Sequence, residues 1–137
     1  MKKVMVFGVF DLLHPGHISF LKQAKKLGSF LIVSVARDTN VKKIKGKSPV
    51  FDEKKRVVHV KQLKLAGKVV LGGLKDPWPH IVKEKPDLIA LGYDQGSFVG
   101  NLPKELRKRN LKTIVVRLKP FRTNIFKSSK IRLKRKY

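Results

Sequence analysis

Residues 4–17 read Val-Met-Val-Phe-Gly-Val-Phe-Asp-Leu-Leu-His-Pro-Gly-His, and this stretch decides how the fold begins. Its apolar run, Val4–Phe7, is typical of a short buried strand. His14 and His17 flank a Pro-Gly pair at which a helix is predicted to start. Apolar residues then recur at helical spacing as far as Leu27, and Gly28 follows where a helix-ending glycine is expected. The stretch therefore predicts a strand, a turn and a helix in succession.

Apolar runs and helix-like segments continue to alternate along the rest of the chain. Further strands are predicted at residues 30–36, 68–71, 87–91 and 112–116. Helices are predicted from the N-cap Asp52 to about Leu65, from Asp76-Pro77 over 78–83, and over 102–109. Residues 37–50 are predicted to be a lysine-rich loop, and a short basic helix is predicted from Ser128. This alternation indicates an α/β fold, a Rossmann-like, doubly wound parallel sheet of five strands with helices on both faces.

Composition and charge limit the classes of function. The chain has 137 residues, of which 42% are apolar, so we expect a single domain over residues 1–137 with a basic tail at about 127–137. It contains no cysteine, which excludes disulfides, thiolate catalysis and cysteine-ligated zinc. Its 33 Lys and Arg against 9 Asp and Glu give a net charge of +24, which favours anionic partners. No signal-like or membrane-spanning apolar run is found, so we expect a soluble, cytoplasmic protein.

The first strand end carries the residues that indicate chemistry. Ligands of doubly wound sheets bind at the carboxyl ends of the strands, and Gly8 lies at the first such end. A helix N-terminus there offers free N–H groups, and His14 and His17 add side-chain donors. This arrangement suits a polyphosphate and the charge that builds up during attack at phosphorus. The alternative, that one histidine caps the helix and the other packs, is disfavoured by their shared turn, and two histidines alone are too few for a zinc site.

The pattern Gly8-x-Phe10-Asp11-x-x-His14-x-Gly16-His17 resembles the H-x-G-H signature of the cytidylyltransferase-like superfamily of nucleotidyltransferases. The resemblance continues in residues 36–38, 41–47, 53–56, 91–95, 122–123 and 128–131, and so covers nearly the whole chain. Members of similar size and pattern are glycerol-3-phosphate cytidylyltransferases and archaeal-type FAD synthetases. The segment from Ala36 to Pro49 is closer to the second group, and the segment from Arg122 to Ile131 is closer to the first.

The resemblance implies a role for each matching residue. Catalysis is assigned to His14, His17, Lys45 and Arg122. Nucleotide binding is assigned to Gly8, Val9, Phe10, His14, His17, Gly92, Asp94, Arg122, Ser128 and Ser129. Acceptor binding is assigned to Asp11, Asp38 and Arg56, with the alternatives that Asp11 shapes the histidine turn and that Arg56 braces the loop. Mg²⁺ is expected to arrive with the nucleoside triphosphate, and a homodimer is plausible.

The implied reaction is transfer of a nucleoside monophosphate from CTP or ATP to a phosphomonoester of the glycerol 3-phosphate or FMN type, with release of pyrophosphate. The sequence leaves both the triphosphate and the acceptor open. Two departures from the family pattern stand out: Val9 occupies a position that is often threonine, and a cysteine found near the C-terminus of some archaeal FAD synthetases is absent. The rival hypothesis is a non-catalytic protein on the same fold that binds nucleotides or RNA through its basic surface.

Overall fold

Five parallel strands form the centre of the structure. The computed structural model describes residues 2–73, 78–92 and 102–118, and its strands are β1 (Lys3–Gly8), β2 (Phe30–Val35), β3 (Lys68–Leu71), β4 (Leu88–Leu91) and β5 (Ile114–Arg117). Every pair is parallel, and the order across the sheet is β3-β2-β1-β4-β5. The chain moves outward from β1 to β3 and then crosses back to the other side of β1. The predicted doubly wound sheet is confirmed.

In the described part of the chain, five helices lie between these strands: α1 (Pro15–Lys26), α2 (Asp38–Lys45), α3 (Glu53–Gln62), α4 (Trp78–Glu84) and α5 (Leu102–Lys108). Asp52 caps α3 as predicted, since its carboxylate accepts from Lys55 N, but α3 ends before the predicted boundary at Leu65. The predicted cap at Asp76 and the predicted helix from Ser128 lie outside the described residues. Among those that are described, no helix has the length and apolar character that crossing a membrane requires.

Helix α2 corrects the prediction of a loop over residues 37–50. Only Val41 of this helix is buried, so the apolar periodicity that normally reveals a helix is missing. The features of the sequence that indicate this helix lie at its ends instead. They are an acidic residue in the first turn, lysines in the last turn and Gly46 as the C-cap. Asp38 therefore opens α2, whereas the sequence analysis had placed it in the predicted loop. The lysines at 42, 43 and 45 likewise belong to a helix and not to a flexible loop.

Alternate residues of the strands pack on opposite faces of the sheet. On β1, Val4 joins one apolar cluster and Met5 joins the other. The first cluster is closed by α1 and α3, through residues such as Leu21 and Val60, and the second by α4 and α5, through residues such as Ile81. Helices thus cover both faces, as predicted. The strand order reverses beside β1, so the carboxyl end of β1 is where such a fold forms its ligand crevice.

Candidate active site

The turn from β1 into α1 is shaped by its two histidines. His14 is the N-cap of α1, and its Nδ1 accepts a hydrogen bond from the N–H of Gly16 at 3.0 Å. The N–H of His14 in turn donates to Nδ1 of His17 at 3.3 Å. Together these bonds form a capping box in which imidazoles replace the usual hydroxyl and carboxylate. Both histidines therefore contribute to the helix cap, a role that the sequence analysis had set against a role in binding phosphate.

These two bonds fix the form of each imidazole. A ring nitrogen that accepts a hydrogen bond carries no proton, so each neutral ring holds its proton on Nε2. The ring centroids of His14 and His17 lie 3.9 Å apart, with 33° between the ring planes. The start of α1 thus carries two adjacent Nε2–H donors beside the N–H groups of the first helical turn. Such a cluster of donors suits an anionic, phosphate-bearing ligand.

Burial keeps this pair uncharged. Burial, with smaller contributions from His14 and from the charge of Lys45, lowers the pKa of His17 to about 4. Burial lowers the pKa of His14 as well. The ring of Phe10, which is 2% exposed, lies 5.7 Å from the ring of His17 and removes water from that side. At neutral pH both histidines therefore act as neutral hydrogen-bond donors and not as imidazolium ions.

Two glycines make room for the rings of this turn. A Cβ on Gly16 would lie 2.7 Å from Cε1 of His14, so no other residue lets that ring lie over the first helical turn without a shift. A Cβ on Gly8 would lie 2.7 Å from the ring of Phe10. Phe10 has a φ of 52°, in the left-handed region that L residues rarely adopt. Its unusual backbone folds the ring back over Gly8 and onto His17.

Lys45 is the lysine of α2 whose charge acts on the histidine pair. Its ammonium lowers the pKa of His17, which places the charge within electrostatic range of the ring. Lys45 stands at the last position of α2, directly before Gly46, and its side chain is exposed. Lys45 is the lysine that the sequence analysis assigned to catalysis, and of the lysines at positions 42, 43, 45 and 47 it is the one whose charge contributes to lowering the pKa of His17.

A buried arginine connects the turn to α2 and α3. Arg56 is 0% exposed, and all three of its guanidinium nitrogens donate: Nη1 to the carbonyl of Val9 at 2.8 Å, Nε to that of Phe51 at 3.0 Å, and Nη2 to Oδ1 of Asp38 at 2.6 Å. The sequence analysis left two roles open for Arg56, binding of the acceptor or bracing of the loop. The structure favours bracing, because the hydrogen bonds and burial of Arg56 leave none of its side chain accessible to a ligand.

The N-termini of α2 and α3 hold each other through reciprocal bonds. Oε1 of Glu53 accepts from the N–H of Asp38 at 2.9 Å, and Oδ2 of Asp38 accepts from the N–H of Glu53 at 3.2 Å. Glu53 also pairs with Arg37 at 3.5 Å, and Arg37 donates to the carbonyl of Gly72 after β3. The carboxyl ends of β1, β2 and β3 are thereby joined by one hydrogen-bonded network, which we call the α2–α3 junction.

Asp11 links the histidine turn to the segment before α3. Its two carboxylate oxygens accept from the N–H groups of Val50 at 2.7 Å and Phe51 at 2.9 Å. This agrees with the interpretation of Asp11 as a residue that shapes the turn. Gly92 lies at the carboxyl end of β4, beside β1 in the sheet, and its carbonyl accepts from Arg117 at 2.7 Å. The remaining predicted site residues, Asp94, Arg122, Ser128 and Ser129, lie outside the described residues.

One polar pair was missed by the sequence analysis. Ser34, which is buried on β2, bonds through Oγ to Nε2 of His80 on α4 at 2.8 Å, on the face of the sheet opposite α1. Burial lowers the pKa of His80, and the carboxylate of Glu84 opposes that shift. The sequence analysis assigned no role to His80. The signal was Ser34 itself, since a serine within an otherwise apolar buried strand needs a hydrogen-bonding partner.

Comparison with known proteins assigns the family. The model of the cytidylyltransferase-like family matches residues 5–134. An FAD synthase of Archaeoglobus profundus is 50% identical over 119 residues, which cover 87% of this chain and 76% of the relative. An FAD synthase of Thermoplasma volcanium is 40% identical over 134 residues, covering 98% and 94% of the two chains.

Solved structures support the fold. A crystal structure of a protein described as a lipopolysaccharide core biosynthesis protein, from Thermoplasma volcanium, superposes with a TM-score of 0.84 at 40% identity, covering 88% of this chain and 98% of the other. A pantoate–β-alanine ligase from Francisella tularensis, at 15% identity and a TM-score of 0.61 over 85% of this chain and 58% of the other, shares the fold alone. This chain belongs to the cytidylyltransferase-like family and is a nucleotidyltransferase.

Proposed function

We propose that this nucleotidyltransferase is an FAD synthase, which transfers AMP from ATP to the phosphate of FMN and releases pyrophosphate. The choice of substrates rests on several relatives named FAD synthase, which are 40–50% identical to this protein over most of the chain. It outweighs the missing cysteine, which had argued against this acceptor. The family alone leaves CTP and glycerol 3-phosphate open, and the similarity to these relatives favours ATP and FMN over both.

The geometry of the histidine turn supports this chemistry. A phosphate oxygen of FMN attacks the α-phosphorus of ATP, a new P–O bond forms, and the bond from the α-phosphorus to the bridging oxygen of pyrophosphate breaks in line. The Nε2–H groups of His14 and His17 donate to the phosphate oxygens on which negative charge grows. Because both rings are neutral, they act by placed hydrogen bonds without first losing or gaining a proton. Catalysis here is positioning combined with electrostatic stabilisation.

Charged side chains complete the proposed phosphate site. Lys45 binds a phosphate from the end of α2, and Arg122 does so from the segment beyond β5. The backbone of residues 8–10 and Gly92, together with Asp94, Ser128 and Ser129, binds the nucleotide. Asp11, Asp38 and Arg56 set the shape of the acceptor side through the bonds described above, and this positioning role replaces direct contact in the case of the buried Arg56.

Magnesium enters this proposal as part of the substrate. Among the described residues no three His, Asp or Glu side chains come together as a metal site. The carboxylates of Asp11 and Asp38 already accept hydrogen bonds from backbone N–H groups and from Arg56. Mg²⁺ is commonly held by phosphate oxygens and water with few protein ligands, which fits this donor set. The ion would then be carried by the triphosphate and would neutralise part of its charge.

The test is a two-by-two assay. The protein is incubated with Mg²⁺ and either ATP or CTP, combined with either FMN or glycerol 3-phosphate, and pyrophosphate and the nucleotide product are measured. We expect FAD and pyrophosphate in equal amounts from ATP with FMN, and background in the other three mixtures. Pyrophosphate from CTP with glycerol 3-phosphate, without FAD from ATP with FMN, would reverse the assignment. No pyrophosphate in any mixture would remove the proposed acceptors altogether.

A further inference from the structure

Three exposed apolar side chains lie on the three segments that border the histidine turn. Leu12 belongs to the turn itself, Ile44 to the last turn of α2, and Val50 to the segment before α3. Their exposed fractions are 56%, 82% and 69%. Single exposed apolar residues are ordinary, but several on neighbouring segments mark a binding surface. We call these three residues the apolar rim.

Hydrogen bonds hold two members of the rim together. Leu12 directly follows Asp11, and the carboxylate of Asp11 accepts from the N–H of Val50 at 2.7 Å. The backbone of the histidine turn is therefore fastened to the backbone of Val50. Leu12 and Val50 therefore lie on either side of this hydrogen bond, and more than half of each side chain is exposed.

Helix α2 brings the third member to the same side. Ile44 lies one turn beyond the buried Val41 in α2. The next residue, Lys45, is the one whose charge acts on His17. Ile44 itself is 82% exposed and precedes Lys45 in the last turn of α2. Lys42, Lys43 and Lys47 surround it with positive charge.

We propose that the apolar rim receives the isoalloxazine ring of FMN, an inference that rests on the proposed function. FMN joins a phosphate to a flat aromatic ring through a ribityl chain. An acceptor of this kind needs cationic and N–H donors at one end and apolar surface at the other, and the rim places that surface next to His17 and Lys45. Glycerol 3-phosphate has no ring and would leave the rim exposed to water. The rim thus gives a physical reason for choosing a flavin phosphate over a smaller phosphomonoester.

The test uses one matched pair of isoleucines in the full-length chain. Ile44→Ser removes the most exposed member of the rim, and Ile114→Ser removes an isoleucine of similar exposure (62%) at the start of β5, the strand end remote from the site. Val50→Ser provides a second rim variant. Binding of FMN is measured by flavin fluorescence without ATP, and KM values for FMN and ATP are measured by pyrophosphate release.

We expect both rim variants to raise the Kd and the KM for FMN about tenfold, the effect of losing one partly buried apolar side chain. The KM for ATP and turnover at saturating FMN should stay unchanged, and Ile114→Ser should match the parent protein.

If the parent protein makes FAD and both rim variants bind FMN normally, the ring site is overturned while the proposed function stands. If the parent protein makes no FAD but binds FMN through the rim, the proposed function fails and the ring site stands. Size-exclusion chromatography covers the remaining case: a dimer that Ile44→Ser converts to a monomer, with unchanged FMN binding, would make the rim a subunit interface and overturn the proposal.

Discussion

The histidine turn and the α2–α3 junction meet at the carboxyl end of β1, but they are held in different ways. The turn is held by local bonds: His14 and His17 cap the helix that they begin, and Gly16 gives the ring of His14 its place. The junction is held by side chains distant in sequence, with Asp38 bonded to Arg56 and to Glu53. The hydrogen-bond donors of the turn are therefore positioned by contacts between residues close in sequence. The position of α2, with Lys45, depends instead on contacts between residues distant in sequence.

His17→Asn should produce the largest effect and separates the two functions of the turn. The amide oxygen of asparagine can accept from the N–H of His14 as Nδ1 does, so the cap survives, but the Nε2–H donor is lost. We expect turnover to fall by about two to three orders of magnitude, the usual effect of removing one donor to a developing oxyanion. Steady-state assays of FAD formation and a thermal unfolding curve measure the two functions.

The matched control for this variant is His59→Asn on α3, where the ring packs edge-on against Phe51 at 4.8 Å. It should keep full turnover. Turnover of His17→Asn within a few-fold of the parent protein would mean that the turn serves only to start α1.

Arg56→Met should produce the second-largest effect, in stability. The substitution leaves the carboxylate of Asp38 and the carbonyls of Val9 and Phe51 without their buried donor. We expect a loss of about 3 kcal/mol in the free energy of unfolding, in the range for breaking a buried ion pair from one side. Urea unfolding monitored by circular dichroism gives this value. Lys55→Met, an exposed neighbour on the same helix, should change it by less than about 0.5 kcal/mol.

The contrast between the two regions predicts that Arg56→Met also weakens ATP binding, because α2 and Lys45 lose their anchor, whereas His17→Asn leaves stability nearly unchanged. A variant at Arg56 that unfolds like the parent protein would show that the junction does not depend on its buried cation.

The titration of His17 should have the smallest effect on stability, and it tests the electrostatics of the turn. Burial favours the neutral ring, so the folded protein holds its proton less tightly than the unfolded chain, in which the pKa is 6.5. The resulting stability is fully present above pH 6.5 and is lost as the pH falls from 6.5 toward 4. An NMR titration of the imidazole nitrogens in the free protein should give a value of about 4 and a proton on Nε2. His17→Asn identifies the signal, and a proton found on Nδ1 would contradict the capping geometry.

The sequence predicts the histidine turn far better than the α2–α3 junction, and the reason is physical. Apolar runs such as Val4–Phe7 mark the buried strands, and the motif from Gly8 to His17 places both histidines at one helix start. Nothing local marks Arg56 as buried, since arginine is usually exposed and its partner Asp38 belongs to another helix. Helix α2 escaped prediction because Val41 is its only buried residue. Contacts that cross from one element to the next therefore had to come from the structure.

The neutrality of the histidine pair has a consequence for how salt acts on this protein. The net charge of +24 resides on lysines and arginines, many of them exposed, and fields of this kind are screened within about 8 Å at physiological ionic strength. The Nε2–H donors of His14 and His17 carry no net charge, so screening by added ions weakens their hydrogen bonds far less than it weakens the field of the charged side chains. Ionic strength should thus govern how fast anionic ligands arrive, while the hydrogen bonds donated by the two neutral rings keep their strength.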